Sequence, residues 1–337
     1  MKERVLLTGA TGFLGYNIAR ALIERSYEVV ASVRSDKNSA YLTEMGCKIK
    51  LGNLENEKFV DEIVKNTDYI IHCASFTGQF QTDFEIYRKA NVVTTQKLVQ
   101  AAKRYQIKRF ILVSTANCFT NGTLANPGIE SSEFMPFLKD SNYAYSKYLA
   151  QKLVLDEFRK SNFPVVVVAP TFLIGEFDRK PSSGKLMLYL SKNRIIVYPS
   201  KAGKNFVDVF VAAKATVNAL VMGELGEVYL LAGENKTYIS YFREIVSLVK
   251  MKHKKYFIPI PFVLIKVFME MLRLIPAKRS RLLRANLKLL FSENYFSNQK
   301  AVDELDMEPT HLRQTIIKTI NWFRENNYLS NENKAQK

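Results

Sequence analysis

The chain has few of the residues that build metal centres and disulfide frameworks. It contains three cysteines and three histidines in 337 residues. An odd number of cysteines at unrelated spacings (Cys47, Cys73 and Cys118) forms neither a disulfide framework nor a zinc-ligand pattern. We therefore expect no bound metal ion and a reducing compartment, which favours a cytoplasmic protein.

The sequence also lacks a recognisable secretory signal, internal repeats and low-complexity tracts. Met1 to Arg4 lead into an apolar run that is too short for the apolar region of a signal peptide. Hydrophobic residues make up 47% of the chain, so a sizeable core is expected and extensive disorder is not. This length suits one large domain or two modest ones.

A glycine-rich turn lies near the start of the chain. The letters T-G-A-T-G-F-L-G at 8–15 follow an apolar run and precede an amphipathic one. We expect Gly9 to take a positive φ, Gly12 to let the backbone approach a phosphate, and Gly15 to let the helix pack closely on the strand. The pattern predicts a pyrophosphate site at a helix N-terminus, although such turns also occur without a ligand.

Apolar runs and helical patterns alternate through the first half of the chain. Strands of continuous apolar residues between helices are typical of a parallel sheet covered on both faces. This predicts a doubly wound α/β fold of the Rossmann type, with ligands at the carboxyl ends of the strands. The predicted strands are 5–7, 29–33, 48–51, 69–74, 110–113 and 165–168, and the predicted helices are 16–23, 59–65, 91–105 and 143–160.

The pattern loosens after about residue 175. We predict a dinucleotide-binding domain at 1–175 and a smaller, mostly helical substrate lobe at 176–330, in which 204–222 completes the sheet. A polar tail at 331–337 is expected to fray. The predicted helices of the lobe lie near 241–250, 262–274 and 311–325, and its one strong strand is Val228–Leu231.

The end of the second predicted strand carries a basic residue. NAD-binding turns place an acid there to hold the ribose 2′-hydroxyl, but this chain has Ser32-Val33-Arg34. A guanidinium suits the 2′-phosphate of NADP(H), which an acid would repel. We therefore favour NADP(H), with NAD(H) left open because Arg34 can also be an ordinary surface residue.

Tyr143 and Lys147 are four residues apart on a predicted helix, so they share one face. An ammonium beside a phenol lowers the pKa of the phenol, which suits a general acid or base. Ser114 and Thr115 follow the fifth strand, where a hydroxyl can bind a substrate oxygen; ordinary loop chemistry is the alternative. We interpret the nearby Tyr145 and Tyr148 as packing or surface residues.

In combination these motifs resemble the extended short-chain dehydrogenase/reductase family, well over 3–175 and loosely beyond. The resemblance implies that Tyr143 exchanges a proton with substrate, Lys147 assists it and binds the nicotinamide ribose, and Thr115 aligns the substrate oxygen. The cofactor-binding residues that our predictions include are Gly9, Thr11, Gly12, Phe13, Leu14, Gly15, Arg34, Asn53, Leu54, Ala74, Ser75, Asn91, Ser114, Tyr143, Lys147, Pro170, Phe172 and Leu173.

Two departures from the family pattern bear on the substrate. Ala169 stands where sugar-nucleotide members often have arginine, and Val211 where the family normally has aspartate. The chain is more similar to the dihydroflavonol-reductase and 3β-hydroxysteroid-dehydrogenase branch, which implies a reductase or dehydrogenase. A nucleotide-sugar epimerase or dehydratase and a non-catalytic NADP(H)-binding sensor or scaffold remain alternatives.

The formal net charge of +17 is concentrated near the C-terminal third of the chain. Between 250 and 288, eleven basic residues accompany one acid, Glu270. An apolar run at 262–272 lies inside this segment and predicts either a lid over an apolar substrate pocket, which we favour, or a contact with an anionic membrane surface. We expect a small-molecule substrate, no nucleic-acid partner and, from the family resemblance, a homodimer.

Overall fold

The structure, a computed structural model, describes residues 2–78, 80–249 and 253–329. Strands and helices alternate along most of this length. The strands are β1 Arg4–Thr8, β2 Glu28–Val33, β3 Lys48–Leu51, β4 Tyr69–His72, β5 Arg109–Val113, β6 Val165–Pro170, β7 Phe172–Ile174, β8 Ile195–Pro199, β9 Gly203–Asp208, β10 Val228–Leu231, β11 Glu234–Thr237, β12 Tyr256–Ile260 and β13 Glu293–Asn294.

The helices surround these strands. Short 3-10 turns, such as Pro136–Asp140, and a π-helical turn at Arg88–Val93 connect some of them. The α-helices are α1 Phe13–Glu24, α2 Ala40–Glu44, α3 Glu57–Val64, α4 Phe84–Tyr87, α5 Thr94–Arg104, α6 Asn142–Ser161, α7 Lys185–Lys192, α8 Val209–Asn218, α9 Tyr238–Leu248, α10 Phe262–Met271, α11 Ala277–Leu290, α12 Gln299–Leu305 and α13 Leu312–Glu325.

A sheet of seven parallel strands, in the order β10-β6-β5-β4-β1-β2-β3, forms the centre of the molecule. All residues of β4 and β6 are buried, because helices cover both faces. One face packs against α1, α8 and α12, and the other against α3, α5 and α6. The predicted doubly wound Rossmann-type fold is therefore confirmed.

The six strands predicted in the first half of the chain are all present, with small differences at their ends. β4 ends at His72, so Cys73 and Ala74 lie in the following loop, and β6 continues to Pro170. The helix predicted from residue 91 begins as an α-helix only at Thr94, because the π-helical turn precedes it.

The C-terminal part contains more strands than the sequence analysis predicted. Only Val228–Leu231 was expected, and this strand joins the edge of the central sheet beside β6. Strand β9, within 204–222, instead belongs to a four-stranded sheet with β7, β11 and β13, while α8 covers the central sheet. A two-stranded sheet pairs β8 with β12. Strands β11 and β13 are wholly polar, which hid them, whereas β7, β8 and β12 are short apolar runs that sequence reasoning overlooked.

Helix α10 differs from the lid that we favoured. A lid packed on the sheet domain would bury one face of its helix, but α10 has no buried residue. Its aromatic Phe262 faces Phe291 after α11, with 6.4 Å between the ring centroids. Among the described residues, no helix has the length and apolar character to cross a bilayer.

Candidate active site

The candidate site lies along one edge of the central sheet. Its strands are parallel, so the loops that follow β1, β2, β3, β4, β5 and β6 all leave from the same edge. This topology collects the glycine turn, Arg34, Asn53, Ala74 and Thr115 there. Their common position is the crevice in which open α/β sheets bind ligands.

The glycine turn has the geometry that a bound diphosphate requires. Gly9 has a φ of +75°, and a Cβ on Gly15 would lie 2.1 Å from the Gly9 carbonyl oxygen, so strand and helix need glycine at both positions. Gly12 is exposed, and α1 begins with neither a side-chain cap nor an acid in its first turn. The N-terminal N–H groups of α1 are thus available to an anion.

The other residues of the turn differ in exposure: some face the open surface above the turn, and one packs in the core. Thr11 is exposed and Phe13 is half-buried, whereas Leu14 packs in the core. The Thr11 carbonyl oxygen accepts a hydrogen bond of 3.4 Å from the Tyr41 hydroxyl. Together with the open surface at Gly12, this arrangement fits the diphosphate of a dinucleotide.

Arg34 directly follows β2, next to the glycine turn in the sheet order. Its side chain is exposed and makes no ion pair with any described residue. Asn53 occupies the corresponding place after β3, where its Oδ1 accepts a hydrogen bond of 3.0 Å from the Glu55 amide. Leu54 is buried against the core. These positions suit the adenosine end of a dinucleotide, with Arg34 free to meet an anionic group.

Asn91 ties the loop after β4 to helix α6. Its Oδ1 accepts hydrogen bonds from the Phe76 amide at 2.7 Å and the Ser75 hydroxyl at 3.1 Å. Its Nδ2 donates to Ser146 Oγ at 2.9 Å. Ala74, in the same loop, donates its amide to Thr8 Oγ1 at 3.1 Å. Asn91 therefore supports the loop rather than facing solvent.

Thr115, Tyr143 and Lys147 meet between the end of β5 and the start of α6. The Thr115 side chain lies close enough to the Tyr143 phenol to lower its pKa. The buried Lys147 side chain donates from Nζ to the Val113 carbonyl oxygen at 2.5 Å, one turn along α6 from Tyr143. A phenol, a hydroxyl and a lysine side chain are thus assembled in one place.

The charge state of this trio differs in one respect from the expectation. We expected Lys147 to lower the pKa of Tyr143, but burial raises that pKa, and the Thr115 side chain opposes the rise. Burial likewise lowers the pKa of Lys147. The reason is that the ammonium faces the Val113 carbonyl, so desolvation dominates at both groups.

The Ser114 hydroxyl contacts Gln151 and Cys118, which lie next to this trio. Its buried hydroxyl donates to Gln151 Oε1 at 2.6 Å and contacts Cys118 Sγ at 3.4 Å. Gln151 was missed by sequence reasoning, although it lies eight residues after Tyr143 and four after Lys147 on α6. The same helical spacing that links the tyrosine and lysine could have found it.

Two cysteines beside the trio were also missed as site residues. The thiols of Cys73 and Cys118 are close enough to Tyr143 and Lys147 that their ionisation would raise the pKa of both groups. Burial raises the pKa of each thiol to about 11, so both are neutral near pH 7. Sequence alone gave no signal for them, because they are distant from Tyr143 along the chain.

The loop after β6 leads from the site into the C-terminal part. Pro170 is the last, buried residue of β6, while Phe172 and Leu173 are half-buried in β7. Lys204 on β9 places Nζ 5.4 Å from the centre of the Phe172 ring. Burial lowers the pKa of Lys204 to about 8. No motif in the sequence marked this lysine.

Tyr145 and Tyr148 serve packing, as the sequence analysis predicted. The Tyr148 ring stacks on Phe134 with 4.4 Å between centroids, and Tyr145 lies against Phe84 at 5.4 Å. The neighbouring tyrosines of α6 therefore hold the segment before the helix in place. Tyr143 is the tyrosine of this group that contacts Thr115.

The doubly wound sheet, the uncapped glycine turn and the trio at its edge define a class of protein, the NAD(P)-dependent oxidoreductases of the extended short-chain dehydrogenase/reductase type. Comparison with known proteins agrees with this class. Residues 5–233 match the NAD dependent epimerase/dehydratase family. The chain belongs to this family and is an NAD(P)-dependent enzyme, which confirms the resemblance found in its motifs.

Similar proteins extend over nearly the whole chain. A putative dihydroflavonol 4-reductase from Synechocystis sp. is 25% identical over 342 residues, covering 98% of each chain. Sterol demethylase protein B from Methylococcus capsulatus is 26% identical over 328 residues, covering 95% of this chain and 98% of the relative. The crystal structure of gox2253 has a TM-score of 0.83 at 25% identity, covering 98% of this chain and 100% of that one.

Proposed function

We propose that the protein is an NADP(H)-dependent reductase or dehydrogenase that moves a hydride between nicotinamide and a carbonyl or secondary alcohol. The observation that carries the proposal is that the Thr115 side chain acts on the Tyr143 phenol, with buried Lys147 one helical turn away. These three groups lie at the edge of the sheet from which the glycine turn also leaves. The proposed substrate is an apolar or amphipathic small molecule.

The roles of the three side chains follow from their chemistry. The nicotinamide, when bound, supplies or accepts the hydride at its C4. In reduction, the Tyr143 phenol gives its proton to the carbonyl oxygen while the carbonyl carbon gains the hydride. Thr115 orients that oxygen through its hydroxyl. In its protonated form Lys147 places a positive charge one helical turn from the phenol, which favours the phenolate that remains after proton transfer.

The proposal includes a preference for NADP(H) over NAD(H). Arg34 is exposed at the end of β2 and has no ion pair within the part of the chain that the structure describes. A guanidinium there can bind the 2′-phosphate with two parallel hydrogen bonds. The absence of an acid at this strand end removes the usual partner of the NAD ribose.

The substrate class is supported by two features. The relatives described above are named for a dihydroflavonol and a sterol, both apolar ring systems that carry oxygen groups. This chain also lacks the arginine and the aspartate that sugar-nucleotide members of the family often have, at Ala169 and Val211. A homodimer belongs to the same proposal.

Substitution of Tyr143 tests the chemistry. Tyr143→Phe removes the proton donor and keeps the ring, so turnover of a carbonyl panel should fall by about a hundredfold or more, while NADPH titration gives an unchanged Kd. Tyr145→Phe is the matched control on the same helix and should retain turnover. Full activity of Tyr143→Phe would refute the assignment.

A nucleotide-sugar epimerase or dehydratase is the second candidate, because the family model covers these enzymes. It would use the same residues but return the hydride to the sugar. Protein purified with tightly held NAD, and turnover of nucleotide sugars without net cofactor oxidation, would support it. A non-catalytic sensor would instead bind NADP(H) and show no turnover with either panel.

A further inference from the structure

Helix α10 presents an apolar surface to solvent along its whole length. Large apolar residues on its surface are 38–64% exposed, and Leu274 in the following turn is 89% exposed. Isolated exposed apolar residues are ordinary, but a contiguous patch of this kind marks an interaction surface. The residues of this patch, here called the α10 patch, are Phe262, Val263, Leu264, Val267, Phe268, Met271 and Leu274.

The exposed apolar surface continues into the strand that precedes α10. In the two-stranded sheet, Tyr256 pairs with Ile195 and Ile258 pairs with Val197. These four side chains are all exposed, at 43–55%, whereas Ile196 on the opposite face is buried. A solvent-facing side of a sheet is normally polar. Here it is apolar and leads through Pro261 directly into the α10 patch.

Positive charge surrounds this surface. The described segment from 253 to 288 contains nine lysines and arginines and a single acid, Glu270, which pairs with Arg273 at 2.9 Å. Lys278 and Arg279, at the start of α11, are exposed and have no ion pair with described residues. An apolar helix beside a cationic one is the pattern of a segment that binds at the surface of an anionic bilayer.

We propose that α10 and α11 together dock the protein on an anionic membrane surface. The α10 patch enters the boundary between headgroups and acyl chains, and Lys278 and Arg279 at the start of α11 meet the lipid phosphates. Ten residues of helix are about 15 Å long, half of the hydrocarbon thickness, so α10 lies in the interface and does not cross it.

Other occupants of the surface fit less well. A second copy of the chain in a symmetric dimer would bring two α10 patches together, but also two sets of basic residues, which repel. The chain beyond residue 329, Ser-Asn-Glu-Asn-Lys-Ala-Gln-Lys, has one alanine as its only apolar residue and cannot cover the patch. An anionic lipid surface satisfies both the apolar and the charged part.

The docking surface adjoins the segment that leads into the candidate active site. A groove of about 750 Å³ is lined by α10, α11 and the turn Pro136–Asp140, with Phe137, Lys266 and Arg284 among its lining residues. Leu289 of α11 packs on Leu138 and Ala144, and Ala144 is adjacent to Tyr143. If the proposed function holds, docking therefore places the start of α6 close to the bilayer, where an apolar substrate accumulates.

Vesicle binding tests the docking without any need for turnover. The full chain is sedimented with vesicles of phosphatidylcholine alone or of phosphatidylcholine with phosphatidylserine. We expect about tenfold tighter binding to the anionic vesicles, with a marked loss at high salt. Equal binding to both vesicle types, or no binding to either, would overturn the proposal.

Matched substitutions locate the surface. Val263 is 64% exposed on α10 and Val221 is 65% exposed in a turn elsewhere, so Val263→Asp should abolish vesicle binding while Val221→Asp leaves it intact. The double substitution Lys278→Glu and Arg279→Glu should remove the preference for anionic lipid. An unchanged thermal midpoint and NADPH Kd show that each variant is folded. Vesicle binding by Val263→Asp at the wild-type level would refute the assignment.

Two further readouts separate the docking from its alternatives. If sedimentation shows a dimer that Val263→Asp dissociates and no vesicle binding, the surface joins two copies and the proposal is wrong. Tyr143→Phe should bind vesicles like the wild type. Docking with no turnover on any carbonyl would refute the proposed function alone, whereas turnover without docking would refute this inference alone.

Discussion

The central sheet and helix α10 are both rich in large apolar side chains and use them in opposite ways. All residues of β4 and β6 are buried, because helices cover the sheet on both faces. No residue of α10 is buried, although its sequence is mostly apolar. Apolar composition therefore does not locate the core of this protein. Burial follows from the alternation of strands and helices, and apolar residues outside that alternation remain available to a partner.

Two leucine substitutions give the largest expected contrast between these regions. Leu112 in β5 is fully buried, whereas Leu264 in α10 is 60% exposed. Leu112→Ala should lower the free energy of unfolding by about 2–5 kcal/mol because it leaves a cavity in the core. Leu264→Ala should change it by less than about 0.5 kcal/mol.

Denaturant titration of both variants and the wild type measures this difference. Unchanged m-values would show that the two variants unfold to similar states and that the comparison is direct. A loss of more than about 2 kcal/mol in Leu264→Ala would mean that α10 is packed in solution, and the contrast between the two regions would then be wrong.

The same contrast explains which elements the sequence predicted. Central strands such as Val165–Pro170 are continuous apolar runs, so their burial on both faces was predictable. The edge strand Glu234–Thr237 is wholly polar and half-buried, and only its pairing with β9 makes it a strand. Pairing with a distant strand can make a polar segment a strand even though its own sequence does not favour one. A single sequence carries no signal for such pairing.

In the candidate site, too, some features were predictable from the sequence and others were not. The glycine turn and the pair Tyr143 and Lys147 have fixed local spacings, so both were found before the structure. The direction of the pKa shift at Tyr143 was not predicted, because it depends on burial and on Thr115, Cys73 and Cys118 from other elements. Residue spacing identifies the side chains of a site. Their pKa values depend on the burial and the neighbouring groups that the folded chain creates around them.

Two glycine substitutions in the turn distinguish packing from ligand approach within the sheet region. A Cβ on Gly15 would lie 2.1 Å from the Gly9 carbonyl oxygen, while a Cβ on Gly12 would lie 3.2 Å from the same atom and faces open space otherwise. Gly15→Ala should therefore cost about 3 kcal/mol of stability. Gly12→Ala should keep the fold and weaken NADPH binding, because the added methyl group obstructs a phosphate.

Thermal unfolding and NADPH titration separate these two effects. The expected pattern is a lower midpoint for Gly15→Ala and a near-normal midpoint with a raised Kd for Gly12→Ala. If Gly12→Ala bound NADPH as tightly as the wild type, the diphosphate would have to lie away from this turn.

Stability below neutral pH should depend on a histidine buried in the core, His72. Buried His72 contacts Thr8 Oγ1 through Nδ1 at 2.7 Å and Thr95 Oγ1 through Nε2 at 3.0 Å. Burial lowers its pKa from 6.5 to about 3. The unfolded chain therefore binds the proton first as the pH falls, and stability present above pH 6.5 is lost as the pH falls toward about 3.

Between pH 6.5 and about 5 this loss should reach about 2 kcal/mol. Urea titrations at a series of pH values measure it, and His72→Gln should have a shallower slope than the wild type because carboxylate effects are common to both. Equal slopes for wild type and His72→Gln would show that His72 is protonated without cost in the folded state.

The smallest expected effect compares the two cationic surfaces. Arg34 at the sheet edge and Arg279 at the start of α11 are both exposed and both without an ion pair among the described residues. Arg34→Ala should raise the Kd for NADPH by about tenfold and leave that for NADH unchanged, because only NADPH has the 2′-phosphate. Arg279→Ala should leave both cofactor affinities unchanged and weaken binding to anionic vesicles several-fold.

Cofactor titrations and vesicle sedimentation on the same two preparations measure both effects. If Arg34→Ala weakened NADH and NADPH equally, the arginine would contact a part common to both cofactors, and the proposed preference for NADP(H) would be wrong.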